Sequence, residues 1–329
     1  MTTIRDFSNH EIAEGVTYEG NAGSKEAVLD GQDIWMIKYP KTTRDMINPQ
    51  ISYTTSPISE YIGSKIYESL GHPTHETVLG VRKGKVVVGC KDFLLQRHDA
   101  TTHGHLPLEF QYNRNKRLMS FHSLKNKFMS TDIEEYSGTG AGTILSEVLD
   151  TISKEPMLLN VAGVSERFWD MFVVDAFIGN NDRNNGNWGL VFDHGANTIA
   201  LAPVYDNGNA FFNKRSVLQM EKRLHSPKDM LVDAVSNVSC IYKYSDMGGH
   251  SDHIKPFAFM TETKIKDCHE AIARFLSTVD MAHITGIIDG VPQYWELLTV
   301  MPDTQKAFYK KLLELRLDKL QAIAAGYKG

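Results

Sequence analysis

The chain has few cysteines: only Cys90, Cys240 and Cys268 occur in 329 residues, far apart and in no Cys-x-x-Cys pair. That pattern excludes a disulfide framework and a cysteine-built zinc site, and it suits a reducing compartment. No apolar run approaches the roughly 20 residues of a membrane-spanning helix. Residues Met1 to Glu11 also lack the apolar core of a secretory leader. Charge of one sign is not in excess: 35 Lys and Arg stand against 40 Asp and Glu, a net charge of −5, which argues against direct binding of nucleic acid. Internal repeats, low-complexity tracts and coiled-coil heptads are absent as well. With 42% hydrophobic and 23% charged residues, the composition is that of an ordinary globular chain able to bury a large core.

Against this plain background one stretch carries chemistry. Phe168 to Ile178 is almost wholly apolar and predicts a buried helix, which delivers Asp182 into a polar loop. Asn187 follows five residues later, then a predicted hairpin turning at Asp193–Asn197, then Asp206-Asn207-Gly208. Asp, Asn and Gly crowd any surface turn for backbone reasons, so each piece alone reads as a turn. Joined to a buried helix, they read as a site. Phosphoryl transfer needs a carboxylate that orients a hydroxyl and takes its proton, together with oxygen ligands for Mg²⁺. Asp182 fits the base, and Asn187 and Asp206 fit the metal ligands, at protein-kinase spacing but without the His-Arg-Asp and Asp-Phe-Gly wording.

Residues Val16 to Phe93 read as a small strand-rich lobe with one helix. Ala27–Leu29 and Ile34–Tyr39 are strand-like around an Asp30-Gly31 turn, and two further runs flank Lys83-Gly84. The helix is expected to open with Ser56 as its cap and Pro57 in its first turn, and to stop at Gly71. Lys38 lies in an apolar strand, where an unpaired ammonium is costly, so it calls for phosphates or a carboxylate such as Glu60. Gly20-Asn21-Ala22-Gly23-Ser24-Lys25 suits a phosphate loop, although it is not a Walker A loop, which ends Gly-Lys-Ser/Thr.

Four blocks in kinase order, Gly20–Lys25, Trp35–Pro40, Ile58–Gly63 and Val86–Phe93, followed by the Asp182 and Asp206 segments, resemble the HipA-like serine/threonine kinases. The likeness is greatest to their compact bacterial, cell-translocating branch. It covers about two thirds of the chain and fades beyond residue 215. The resemblance implies an α+β, bilobal protein-kinase-like fold, with residues 1–94 as the small lobe and 95–329 as a mainly helical lobe. It implies ATP bound by Gly20, Asn21, Ala22, Gly23, Ser24, Lys25 and Lys38, with Lys91, Asp92 and Phe93 at the link between lobes. It also implies Lys38, Asp182 and Asn187 as catalytic residues, Mg²⁺ on Asn187 and Asp206, a protein acceptor with Ser or Thr, and autophosphorylation, for which Ser24 is a candidate. A cytoplasmic bacterial protein is expected, with delivery into host cells without a cleaved leader as a further expectation. Only a short stretch precedes the phosphate loop, which speaks against the antitoxin-paired toxin role of many HipA-type members. Two other readings stay open: an ATP-binding pseudokinase that acts through contacts, and a kinase for small molecules.

Other features carry less. His98, His103, His105 and Asp99 fall in a polar stretch, residues 98–117, read as a solvated loop rather than a zinc site. Ser137–Gly142 reads as a flexible turn, and Asp303–Ala325 as a helix with a broad apolar face.

Overall fold

The computed structural model describes residues 2–18, 25–46, 51–98, 112–131, 141–244 and 252–327. Strands β1 (Arg5–Asp6), β2 (Lys25–Asp30), β3 (Asp33–Lys38), β4 (Thr77–Arg82), β5 (Lys85–Arg97) and β6 (Tyr112–Asn113) build one sheet in the order β1-β4-β5-β3-β2, with β6 on the far end of β5. The β1–β4 pair is parallel and the others are antiparallel. Both predicted hairpins form. Gly31 turns β2 into β3 at φ +62°, and Lys83-Gly84, at φ +51° and +67°, make the two-residue β4–β5 turn that the twist of paired strands favours.

Helix α1 (Ser56–Ser69) packs on β4 and β5 and ends as expected before Gly71, at φ +83°. Its cap lies one residue earlier than the sequence suggests, at Thr55. A distant segment sets that boundary, because the Thr55 N–H donates to the Asn213 carbonyl at 2.8 Å.

The rest of the chain is mainly helical: α2 (Phe121–Thr131), α3 (Leu145–Lys154), α4 (Pro156–Leu159), α5 (Val164–Ile178), α6 (Val217–Leu224), α7 (Pro227–Leu231), α8 (Pro256–Glu262), α9 (Lys266–Thr278), α10 (Met281–Gly290) and α11 (Asp303–Gly326). A second sheet, β7 (Lys116–Ser120), β8 (Gly189–Asp193) and β9 (Thr198–Leu201), carries the hairpin expected between Asn187 and Asp206. The expected loop at 98–117 is corrected where it is described: Tyr112–Asn113 pair with β5, and β7 begins at Lys116. Their partners lie far away in sequence, so no local pattern announces them. Residues 99–111, with His103 and His105, and Ser137–Gly140 lie outside the described residues. β5 runs on past residue 94, where the lobe boundary is expected, to Arg97.

α5 is almost wholly apolar from Phe168 onward, and 12 of its 15 residues are buried. One hydrophobic cluster joins it to α1 through Ile58, Ile62, Ile66 and Tyr67, so the helix of the small lobe is anchored in the core of the large one. At Gly179, φ +72°, the chain leaves α5 and enters the polar loop. Among the described residues, no single helix is long and apolar enough to cross a membrane.

The Arg5–Gly80 register leaves no room for a side chain. A Cβ on Gly80 would lie 2.5 Å from the Phe7 ring and 2.6 Å from the Arg5 carbonyl oxygen. Phe7 is fully buried against Trp35 and Val87. Gly80→Ala should therefore lower the unfolding free energy by about 1–3 kcal/mol in urea titration, and a loss under about 0.5 kcal/mol would contradict this packing.

Candidate active site

A cleft of about 760 Å³ opens between the sheet and the helical half. It brings together Lys25, Lys38, Lys91, Asp92, Phe93, Asp182, Asn187 and Asp206, residues drawn from five separated stretches of sequence. Gly20, Asn21, Ala22, Gly23 and Ser24 lie outside the described residues.

Lys38 ends β3 and enters the cleft. Its Nζ donates to Glu60 Oε2 and to Asp206 Oδ1, each at 2.9 Å. Burial works against the ammonium, but Asp206 and Glu60 outweigh it and hold the Lys38 pKa well above the usual lysine range. Lys38 in turn is the main reason that the Asp206 carboxyl is held down. Glu60 is buried, which opposes ionisation, yet Lys38 and His75 keep its pKa far below the usual range. Lys25 stands directly across from Lys38 in the β2–β3 register. Like charges opposite one another on paired strands repel, and an anion in the cleft would relieve them. Burial, and then Lys38, depress the Lys25 pKa.

Depressed carboxylates stabilise the fold above their unfolded pKa and lose that contribution as pH falls through the folded value. Glu60→Gln should therefore be less stable than the parent at pH 7, with the gap closing as pH falls below about 4.5, the ordinary glutamate value. Thermal melts of both proteins from pH 7 to pH 3 check this, and a pH-independent gap would show that Glu60 is not a paired anion.

The polar loop is held from below. Buried Arg183 binds Asp175 of α5 with two N–H groups, at 2.9 and 3.1 Å. It also donates to the Asn187 carbonyl at 3.2 Å, to the Tyr205 carbonyl and to Asn207 Oδ1. One guanidinium thus ties the segment after Asp182 to the segment around Asp206. Tyr67 and Asn180 complete the shell of Asp175, at 2.9 and 3.1 Å.

Above this bracket, Asn184 Nδ2 donates to Asp182 Oδ1 at 3.2 Å, which leaves Asp182 Oδ2 without a protein donor among the described residues. Asn187 Nδ2 donates to the Asp182 carbonyl at 2.7 Å, so Asn187 Oδ1 is its unengaged atom. Asp206 sits at φ +61°, a left-handed conformation that Asp tolerates better than bulkier residues. Asn187 Oδ1 and Asp206 Oδ2 are hard oxygen donors with no protein partner among the described residues, and such a set suits Mg²⁺.

At the far wall, the Asp92 carboxylate is engaged by the protein itself. It accepts from Leu94 N at 2.8 Å, Leu95 N at 2.9 Å and the Tyr18 hydroxyl at 2.7 Å. Lys91 pairs outward with Asp33 at 2.6 Å. This segment therefore offers the cleft its backbone and the Phe93 ring, which lies 6.0 Å from the Tyr205 ring.

Sequence reasoning did not single out Arg183, Asp175, Asn207, His75 or Tyr18. The first two had a signal: an Asp inside an apolar helix and an Arg beside Asp182 pose the same buried-charge problem that marked Lys38. His75 reaches Glu60 Oε1 at 3.1 Å, and the Asn207 N–H donates to the same oxygen at 3.1 Å. Its loop also bonds to Val204, just ahead of Asp206.

A strand-rich half with a paired lysine, a helix glutamate and an Asp, Asn, Asp loop set facing a helical half defines a protein-kinase-like architecture. No protein-family model matches the chain. Along 98% of its length the chain is 31% identical to serine/threonine-protein kinase CtkA of Helicobacter pylori, spanning 88% of that protein. The crystal structure of the H. pylori proinflammatory kinase CtkA matches with a TM-score of 0.77 at 29% identity, covering 98% of this chain and 97% of that one. HipA of Shewanella oneidensis, solved with HipB and operator DNA, shares the fold at a TM-score of 0.52 and 13% identity, over 96% of this chain and 69% of that one. The chain belongs to the family of the serine/threonine-protein kinase CtkA and shares its fold with HipA.

Proposed function

We propose that this kinase transfers the γ-phosphoryl group of ATP, with Mg²⁺, to serine or threonine hydroxyls of protein acceptors, itself included. One observation carries the reading: Lys38 lies 2.9 Å from both Glu60 and Asp206, and Asp182 and Asn187 line the same cleft. Lys38 and Lys25 would face phosphate oxygens, with the amides of Gly20, Asn21, Ala22, Gly23 and Ser24 beside them. Backbone groups of Lys91, Asp92 and Phe93 would meet the adenine edge, with the Phe93 ring along its face. Asn187 and Asp206 would hold Mg²⁺, which supplies neutralisation of phosphate charge. Asp182 Oδ2 would orient the acceptor hydroxyl and take its proton as the oxygen bonds to phosphorus and ADP leaves.

The test is incubation of purified protein with γ-labelled ATP, with and without Mg²⁺, alone and with a generic basic protein. Acid-stable label on phosphoserine or phosphothreonine that requires Mg²⁺ is expected. Nucleotide binding without any transfer would overturn the reading in favour of a pseudokinase, and label only on small hydroxyl compounds would move the acceptor class. Peptide mapping tests Ser24 as the self-modified residue, and label confined to other serines would reject it.

A further inference from the structure

A second cavity, of about 350 Å³, shares no lining residue with the catalytic cleft. Its walls are the end of α1 with Gly71 and His72, the first half of α5 with Arg167 and Asp170, Leu201 of β9, and the end of α9 with Arg274. Three nitrogen-bearing side chains meet there with donor capacity to spare. Arg167 has no carboxylate partner among the described residues, and its one hydrogen bond is a long 3.5 Å contact with the Ala202 carbonyl. Arg274 spends Nε and Nη2 on a single oxygen of Asp170, at 3.0 and 2.7 Å, and Nη1 has no partner among the described residues. His72 touches the Tyr67 ring edge and has no hydrogen-bond partner for either ring nitrogen among the described residues.

The charges act on one another. Burial, then Arg167, then Arg274 bring the His72 pKa down to about 4, while Glu166 acts the other way, and all four residues line the same cavity. Burial also lowers the Arg167 pKa. Asp170 is already neutralised by Arg274, and Glu166, the other acid in the lining, is exposed. Asp170 and Glu166 favour the Arg167 charge from a distance, but neither pairs with it directly, and a half-buried guanidinium with free donors beside a second one with a spare arm is an arrangement that recognises planar or tetrahedral oxyanions.

We propose that this cavity is a second, non-catalytic site for a phosphate-type dianion, held by Arg167, Arg274 Nη1 and a ring N–H of His72. The volume leaves room for part of a carrier beyond the phosphoryl group. The ligand is therefore either free phosphate or a phosphoryl group carried on serine, and the two share the same recognition chemistry.

The test is calorimetric titration of inorganic phosphate, at constant ionic strength, into the full chain saturated with a non-hydrolysable ATP analogue, which occupies the lysines of the catalytic cleft. One phosphate per chain is expected, at least tenfold weaker in Arg167→Gln and intermediate in Arg167→Lys, which keeps the charge but not the fork. Because the Arg167 side chain makes only one long hydrogen bond among the described residues, both variants should melt close to the parent temperature. Should Arg167→Gln fail to fold, Arg167→Lys alone decides, and unchanged affinity in that variant counts against the site. A parallel titration with O-phosphoserine separates the sources: tighter binding than phosphate points to a phosphorylated residue, and weaker binding to the free anion. Absence of saturable phosphate binding in the nucleotide-loaded parent, or equal affinity in parent and variants, would overturn the proposal.

Discussion

Asp182→Asn should fold and bind ATP like the parent while transferring phosphate about 10²–10⁴-fold more slowly, the range usual for losing a positioned general base. The substitution keeps shape. The backbone contacts of Asp182, from its N–H to Asn180 at 3.2 Å and from Asn187 Nδ2 to its carbonyl at 2.7 Å, do not involve the altered atoms. Asp182 also takes no part in the Lys38, Glu60 and Asp206 ion pairs, so these charges stay as they are. What is lost is the free carboxylate oxygen that can receive a proton, replaced by oxygen or NH₂ of an amide that cannot. Single-turnover transfer of labelled phosphate, beside nucleotide affinity measured by fluorescence or calorimetry, separates the two effects. An undiminished rate would remove Asp182 from the role of base. A matching loss of ATP affinity would mean that the residue binds rather than reacts. Asp206→Asn should differ in kind, because it weakens a partner of Lys38 and alters one of the two side chains proposed to hold Mg²⁺, and ATP affinity in Mg²⁺ should fall with the rate.

The largest stability effect is expected at Arg183→Met, roughly 3–5 kcal/mol, the usual result of stranding one member of a buried ion pair. Asp175 is nearly inaccessible, with a side chain 5% exposed, so removing Arg183 leaves its buried carboxylate without a counter-ion. The Asn187 and Tyr205 carbonyls and Asn207 Oδ1 lose a donor at the same time, so the loops bearing Asn187 and Asp206 should loosen as well. Urea unfolding and kinase assays on Arg183→Met, Asp175→Asn and the double variant make a closed cycle. A double variant clearly more stable than the sum of the two losses shows that the pair is coupled. Additive losses would mean that Arg183 acts through its carbonyl contacts and not through Asp175.

Much of the candidate site could be read from the chain because the chemistry proposed for it restricts residue type, and the residues named for it that are described line one cleft. Few arrangements other than a phosphotransfer centre need an Asp, an Asn five residues on and a later Asp-x-Gly beside a buried helix. Lys38 stood out since a charge in an apolar strand requires a partner, and Glu60 is now seen 2.9 Å away. The Arg183 bracket was harder to see. Asp175 and Arg183 are close in sequence, yet Tyr67, Asn207 and Tyr205 join them only through the packing of α1 and the second sheet. Asp92 shows a related limit: its place in the cleft wall follows from β5, but its carboxylate turns to Leu94, Leu95 and Tyr18.

Sequence alone determined the local elements: hairpins at Gly31 and Lys83-Gly84, a helix ended by Gly71, and an α5 that had to be buried because Phe168–Ile178 is almost wholly apolar. Those outcomes depend on backbone preference and on the period of hydrophobicity, both of which act within a few residues. Tertiary structure decided the parallel pairing of Arg5 with Gly80, the β7–β8 pairing, the capping of α1 at Thr55 by Asn213 and the network under Asp182. Each joins segments far apart in the chain, and such contacts are chosen by the shape and burial of the assembled core rather than by any local propensity.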